Sequence, residues 1–238
     1  MLRIYKTTEN GLELLETIAN GAWVHAIDPT PDEIEKLANW GMEMEYVHYS
    51  LDQDEMARME RNEDYTFILV RIPIHRPESD IPYTTVPLGM MILGNKIITV
   101  CRYDSDIFRP LVNGKHRYLK TGKRYRLALY IFLETAARYL HLLREINRSI
   151  ELVEDRLQKS TQNRELLELL KYQKSLTYFA TALRSNEVMM ERLRRMQTFN
   201  QYEEDQDLLE DVLTENHQAI QMVNIATEIL AGLMDAFA

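Results

Sequence analysis

Acidic side chains cluster where the last long stretch of the chain begins. Asp207, Asp211 and Glu215 are spaced four residues apart, so on a helix their carboxylates share one face. Like charges at this spacing repel each other, and a hard divalent cation, bound through oxygen or water, would relieve that repulsion. A solvated acidic turn that complements the helix dipole is the simpler interpretation of the same spacing. The residues alone leave both interpretations open.

Two other charged groups are candidates for ion binding. Asp52, Asp54 and Glu55 form a second acidic cluster close to His48 and Tyr49, and it carries the same two interpretations. A basic loop could contact phosphates, but we interpret it as a solvated loop that meets an acidic neighbour. Its members are Lys115, Arg117, Lys120, Lys123, Arg124 and Arg126.

Composition and motifs narrow the class of protein. The chain has 238 residues and a formal net charge of −9, which argues against nucleic acid as the main partner and is compatible with attracting cations. It contains no Gly-rich phosphate loop, nucleophile elbow or HExxH motif, so we expect no enzyme activity and no organic cofactor. The single cysteine, Cys101, lies in an apolar run and is predicted to be a buried small hydrophobe.

The first hundred residues are predicted to form a mixed α/β unit. Thr30, Pro31 and Glu33 form a capping-box pattern that starts a helix, which should end near Trp40 and Gly41. Gly94 and Asn95 predict a tight hairpin turn between two strands. The predicted strands are Leu2–Tyr5, Ala22–Ile27, Tyr65–Ile74, Thr84–Leu93 and Lys96–Cys101, and Ser105–Val112 should be a short helix. The four prolines at 73, 77, 82 and 87 should mark strand ends or edges.

After Gly122 the pattern is helical. Three helices are predicted, at about Tyr125–Gln158, Arg164–Phe199 and Asp207–Ala238, with polar connections at 159–163 and 200–205. The last helix carries a coiled-coil seam with steps of four and three. The seam is Leu209, Leu213, Asn216, Ile220, Val223, Thr227, Leu230, Met234 and Phe237. It remains in phase up to the last residue without a helix stop signal, so we expect the native helix to continue past Ala238.

The segment Leu208–Ala238 resembles the stalk helix of the CorA-type divalent-cation (magnesium/cobalt) transport family, which in that family runs into the first transmembrane span. Further similarity lies in Lys174–Glu187, in Arg58–Ile68 and around Trp23, Pro29 and Thr30, so that the resemblance covers essentially the whole chain. It implies an α+β fold: an α/β/α N-terminal domain followed by long helices that include the stalk. It also implies a homopentameric channel whose cytosolic part binds Mg²⁺, Co²⁺ or Zn²⁺ between subunits and closes the pore.

The resemblance assigns roles to individual residues. Asp211 matches a stalk carboxylate that serves as an intersubunit metal ligand, and Glu215 and Asp207 extend its face. The partner acid from the α/β domain falls at His48 and Tyr49, so Asp52, Asp54 or Glu55 would replace it. The acid of a second site matches Leu133, next to Glu134.

We therefore expect the chain to be the cytosolic regulatory domain of a CorA-like magnesium or cobalt channel and to lie on the cytoplasmic face of the cell membrane. The expected parts are an α/β domain at 1–122, a long antiparallel helix pair at 123–200 and the start of the stalk at 201–238. The isolated chain should associate weakly, with the seam from Leu209 to Phe237 exposed or mispaired. A zinc-transporting relative and a soluble coiled-coil adaptor are the alternatives.

Overall fold

The structure, a computed structural model, describes residues 1–159 and 163–237. One seven-stranded sheet has the order β2-β1-β3-β7-β6-β5-β4. β3 and β7 are parallel, and the other neighbouring strands are antiparallel, so the sheet is mixed as expected. The strands are β1 Leu2–Thr8, β2 Gly11–Leu15, β3 Trp23–Ile27, β4 Arg58–Arg61, β5 Tyr65–His75, β6 Tyr83–Leu93 and β7 Lys96–Cys101.

Within the described ranges, six α-helices cover the two faces of the sheet, which gives three layers. They are α1 Pro31–Asn39, α2 Met44–Leu51, α3 Arg109–Val112, α4 Arg124–Lys159, α5 Asn163–Arg194 and α6 Glu203–Phe237, and short 3₁₀ turns occupy Asp106–Phe108 and Gln197–Phe199. α1 and α2 pack on the face that presents Val24, Phe67 and Ile98. The opposite face packs against the long helices, where Trp23 and Ile68 join Phe132 in one core. This is the predicted α/β/α arrangement, because both faces of the sheet are apolar and need cover.

The capping box at the start of α1 is confirmed. Thr30 Oγ1 accepts from the Glu33 N–H at 3.3 Å, and Glu33 Oε2 accepts from the Thr30 N–H at 3.0 Å. The same carboxylate also receives the N-terminal ammonium of Met1 at 2.9 Å. These contacts satisfy helix N–H groups that have no partner inside the helix, which fixes where α1 begins.

α2 was not predicted, and it approaches the sheet at Gly89. A Cβ atom at Gly89 would lie 2.7 Å from the Ser50 Cβ, which is closer than real side chains come. The Ser50 hydroxyl is buried and donates to the Tyr46 carbonyl oxygen at 2.6 Å. Glycine at 89 therefore allows helix and strand to touch, and this brings the turn after α2 over the sheet.

Two of the prolines do not lie at strand ends. Pro73 is inside β5 and Pro87 is inside β6. Both prolines still lie beside a free strand edge. Pairing of β4 with β5 stops at Leu69, before Pro73, and pairing of β6 with β7 starts at Leu88, after Pro87. Each proline thus lies where its strand has a single neighbour, and its missing N–H removes no ladder hydrogen bond on the open side.

Most of the seam of the last helix is buried within the same chain, which corrects the expectation that the seam would be exposed or mispaired. Leu209, Leu213, Ile220, Val223 and Leu230 are all buried, against α4 and α5. Burial of each such side chain contributes about 1.5–3 kcal/mol, so the three long helices form one stable layer. The polar seam member Asn216 is also buried, and its amide donates to the Leu183 carbonyl at 3.2 Å.

The ends of the long helices differ from the prediction. α6 begins at Glu203 rather than Asp207, because acidic residues in a first turn are stabilised by the helix dipole. α5 ends at Arg194, and a 3₁₀ turn carries the chain to Phe199. Among the described residues, α6 is the one helix that is long and apolar enough to cross a membrane by length and composition.

Candidate metal-binding region

The carboxylates at the start of α6 are accessible to solvent. Asp207 and Asp211 are exposed and Glu215 is half-buried, so the face predicted from their spacing exists. Within the residues that the structure describes, no group of three or more His, Cys, Asp or Glu side chains is placed to hold a metal ion. A divalent cation at this face would therefore take its remaining ligands from water or from another chain.

Cationic side chains lie beside two of these carboxylates. Asp207 and Asp211 line a cleft of about 540 Å³ together with Lys120 and Lys123. Tyr118, Arg126, Tyr130, Glu204 and Leu208 complete its lining. A lysine ammonium and a divalent cation compete for the same carboxylate charge, so the basic loop weakens any cation site at this end of α6.

Arg126 and Asp205 join α4 to the first turn of α6. The Arg126 guanidinium donates to the buried Asp205 carboxylate through Nε and to the exposed Glu204 carboxylate through Nη2, the latter at 2.7 Å. Burial lowers the pKa of Arg126, but the hydrogen bonds to Asp205 and Glu204 outweigh it and raise the pKa overall. The predicted acidic neighbour of the basic loop is confirmed here, whereas the burial of Asp205 has no signal in the sequence.

The second acidic cluster forms the turn that follows α2. Asp52 caps the end of α2 and accepts from the Asp54 N–H at 3.0 Å. The buried Arg71 stabilises this turn, because its Nη1 donates to the Gln53 and Glu55 carbonyl oxygens at 2.6 and 2.7 Å. Asp52 and Asp54 are exposed, so their carboxylates can reach a cation or a second chain.

Glu55 is already neutralised by an arginine. Its carboxylate pairs with Arg58, which also pairs with Glu60 at 2.9 Å. The Arg58 guanidinium lies 4.4 Å from the centre of the Tyr49 ring, and the Tyr49 hydroxyl donates to Glu45. Glu45, on α2 and one turn before Tyr49, is an exposed acid in this region that the sequence analysis missed.

Glu134 lies on α4 in a different environment. It is buried, and its Oε1 accepts from Lys115 Nζ at 2.8 Å and from His116 Nε2 at 2.7 Å. Burial raises the pKa of this carboxyl, but the hydrogen bonds from His116 and Lys115 outweigh it and lower the pKa overall. A metal ion at Glu134 would have to displace these donors, and the neighbouring Leu133 offers no ligand.

The donor types in the accessible clusters fit a hard cation. Asp52, Asp54, Asp207 and Asp211 supply carboxylate oxygen, the ligand that Mg²⁺ takes through water or directly. The structure brings Asp207, Asp211 and Glu215 onto one face and Asp52, Asp54 and Glu55 into one turn, while Glu134 belongs to neither group. The metal roles of all seven residues stay predictions.

Known proteins resemble this chain over most of its length. The model of the "CorA-like Mg2+ transporter protein" family matches residues 19–238. A cobalt/magnesium transport protein CorA from Methanocaldococcus jannaschii is 27% identical over 223 residues, which are 90% of this chain and 68% of the relative.

Solved structures agree in fold. The complete CorA magnesium transporter of the same organism superposes with a TM-score of 0.87 at 24% identity, covering 100% of this chain and 76% of the other. The soluble domain of that protein gives 0.85 at 23% identity, covering 99% and 95%. The ZntB cytoplasmic domain from Vibrio parahaemolyticus gives 0.76 at 10% identity, covering 99% and 95%. Since the family model matches nearly the whole chain, and the fold is that of a CorA soluble domain, the chain belongs to the CorA-like Mg²⁺ transporter family, whose members are ion transporters rather than enzymes.

Proposed function

We propose that this chain is the cytosolic, cation-sensing part of a magnesium or cobalt channel, on the cytoplasmic side of the membrane. Cytosolic Mg²⁺ binds between copies of the chain in a homopentamer and favours the packed, closed arrangement over a splayed one. A ligand shifts such an equilibrium only through the difference in its affinity for the two states. Several shared sites, each with a modest preference, together reach the roughly 5.5 kcal/mol needed for a nearly complete shift.

The observation that carries the proposal is the exposed, incomplete carboxylate face of α6. Asp207 and Asp211 are accessible, and the described part of one chain places no third protein ligand with them. A second copy that brought Asp52 or Asp54 to the same ion would complete the site and remove the repulsion between the acids.

The same face of α6 continues as an apolar surface. Ile225 and Ile229 are 57% and 55% exposed, and they follow Asp207 and Asp211 by eighteen residues, or about five helical turns. Carboxylates at one end of a helix face and exposed isoleucines further along it suit a contact with another copy of the chain.

Sedimentation velocity with and without Mg²⁺ tests the proposal. We expect MgCl₂ to increase association of the chain at concentrations on the order of millimolar. Asp211→Asn removes the charge without changing the side-chain size and should abolish most of the Mg²⁺ effect, and Glu215→Gln should reduce it less because Glu215 is half-buried. Asp235→Asn is the matched control, since Asp235 is an exposed carboxylate on α6 outside the acidic face. Association that ignores Mg²⁺, or that Asp211→Asn leaves intact, would contradict the sensing role.

Comparing different cations distinguishes the proposed magnesium or cobalt channel from the zinc-transporting alternative. The exposed acids provide oxygen ligands, which suit Mg²⁺, whereas zinc sites combine any carboxylates with His or Cys. Sedimentation velocity with MgCl₂, CoCl₂ and ZnCl₂ in turn should therefore show that Zn²⁺ promotes association less strongly than expected for a histidine-containing zinc site. The adaptor alternative loses its main argument, because the α6 seam is buried within the chain.

A further inference from the structure

A second cleft lies between the sheet and the helices. It has a volume of about 360 Å³ and is bordered by Arg3 of β1, His25 of β3, Arg109 of α3 and Arg138 of α4. This size is at the lower end of the range for small-molecule sites. None of the residues assigned to cation binding borders it.

The cleft is cationic, and two of its arginines share one carboxylate partner. Asp106 forms an ion pair with Arg109 Nη2 at 3.0 Å and another with Arg138 Nη2 at 2.9 Å, so one carboxylate lies between two guanidinium groups. Each guanidinium has five N–H donors, and a single contact to Asp106 leaves most of them available. With Arg3, the lining carries three positive charges against those of Asp104 and Asp106, an excess of one when histidine is neutral.

His25 contributes a buried polar atom without a partner. The residue is 2% exposed, and its Nδ1 lies 2.9 Å from Thr99 Oγ1. The ring is fixed between Trp23 and Phe108, with centroid distances of 5.7 and 4.0 Å. Its Nε2 is buried and has no hydrogen-bond partner among the described residues.

Such an unsatisfied nitrogen calls for a physical explanation. Leaving a buried polar group unpaired costs about 1–3 kcal/mol, and native proteins contain few examples. Because Nδ1 is occupied by Thr99, Nε2 is the ring edge that remains for the cleft. Burial, together with the charges of Arg3 and the N-terminal ammonium, lowers the pKa of His25 to about 3, so the ring offers a hydrogen bond rather than a charge at neutral pH.

We propose that this cleft binds a small organic anion with a phosphate or carboxylate group. The oxyanion is held by Arg3, Arg109 and Arg138, and a polar group of the same ligand pairs with His25 Nε2. Arginine is suited to this role because its planar fork matches the oxygens of phosphate and carboxylate. The volume exceeds that of a bare inorganic ion, which leaves room for the organic part, and the excess of positive charge disfavours a metal cation.

Calorimetric titration with two probes tests the site and separates the two anion types. Glycerol 3-phosphate represents the phosphates and citrate the carboxylates, each in metal-free Tris chloride at constant ionic strength. We expect at least one probe to bind. Arg3→Gln and Arg109→Gln should each weaken binding about tenfold, the value of a lost charge-assisted hydrogen bond. Arg61→Gln, an exposed arginine at the far edge of the sheet, is the matched control and should change nothing.

The His25 ring gives a second readout that needs no variant. In ¹⁵N spectra of the histidine side chains, the Nε2 resonance of His25 should shift on addition of the binding probe, because that atom gains a hydrogen bond. Binding that persists in the Arg3→Gln, Arg109→Gln double variant would overturn the proposal. Failure of both probes to bind would overturn it as well, as would an Nε2 resonance that stays in place at saturation.

Discussion

The side-chain amide of Asn186 on α5 forms hydrogen bonds with both main-chain polar groups of Arg71 on β5. Asn186 Oδ1 accepts from the Arg71 N–H at 2.8 Å, and Asn186 Nδ2 donates to the Arg71 carbonyl at 2.8 Å. Pairing of β5 with β4 has ended at Leu69, so the amide takes the place of the missing strand. A buried asparagine thus continues the ladder from a helix, which fixes α5 to the sheet.

Replacing Asn186 should therefore lower the free energy of unfolding more than removing the Tyr139 hydroxyl, which is the other donor to the Arg71 carbonyl. Asn186→Leu leaves the buried Arg71 N–H without a partner, and we expect a loss of about 2–3 kcal/mol in the free energy of unfolding. Tyr139→Phe removes the hydroxyl that donates to the Arg71 carbonyl at 3.0 Å, and it should cost about 1 kcal/mol because Asn186 still serves that carbonyl. Urea unfolding measures both changes. Equal losses would contradict this ranking.

The ion pairs of Arg126 predict that Asp205 contributes much more than Glu204 to the free energy of unfolding. Asp205→Ala leaves the buried Arg126 guanidinium with only its exposed partner, and we expect a loss of about 2–4 kcal/mol in unfolding free energy. Glu204→Ala should cost under about 1 kcal/mol, because the Glu204 side chain is 76% exposed and its charge is screened by water. Thermal or urea unfolding of the two variants decides the matter, and a loss of similar size in both would refute the difference.

Burial of His25 predicts acid sensitivity. Its folded pKa is lowered from 6.5 to about 3, so below pH 6.5 the unfolded chain takes up a proton that the folded chain refuses. The free energy of unfolding contributed by this residue is fully present above pH 6.5 and is lost as the pH falls from 6.5 towards 3, by up to about 1.4 kcal/mol per pH unit.

His25→Asn keeps a hydrogen-bonding group near Thr99 but cannot titrate. Urea unfolding at about pH 7 and about pH 5 should show a smaller loss of stability in this variant than in the unmodified chain. His141→Asn is the control, because His141 is exposed on α4. The same loss in all three proteins would exclude His25 as the cause.

The basic loop beside Asp207 and Asp211 predicts that removing its charge strengthens cation binding. Lys120→Gln and Lys123→Gln should each lower the Mg²⁺ concentration at half-saturation by about two- to fivefold, since an exposed charge contributes up to about 1 kcal/mol. Calorimetric titration with MgCl₂ at low salt measures this effect. Lys36→Gln, an exposed lysine on α1, should leave the titration unchanged. Weaker Mg²⁺ binding in the loop variants would show that these lysines support the site rather than compete for it.

Sequence patterns predicted the elements whose signals are local. The capping box at Thr30 and the Gly94-Asn95 turn each depend on neighbouring residues, and both are present in the structure. β2 was missed because Gly11–Leu15 is a short, largely solvent-accessible edge strand. α2 was missed because Met44–Leu51 is rich in Tyr, Val, His and Ser, which favour helices only weakly.

The residues of the candidate site could be predicted from the sequence, but the contacts between residues far apart in the chain could not. The shared face of Asp207, Asp211 and Glu215 follows from helical spacing alone. The pairing of Arg126 with Asp205 spans 79 residues, and nothing in the sequence separates Asp205 from the exposed acids around it. The partner acid for Asp211 stays a prediction, because its position depends on how copies of the chain meet.

The burial of the α6 seam has a mechanical consequence. α6 has 35 residues and is about 52 Å long at about 1.5 Å per residue. Sliding it by one turn would break every interlocked contact with α4 and α5 at once, so the three helices respond to force as one stiff lever arm. A tilt of about 5° at the Asp205 end displaces the Phe237 end by about 4–5 Å over this length. A small rotation at one end of α6 therefore corresponds to a displacement comparable with the width of a side chain at the other end.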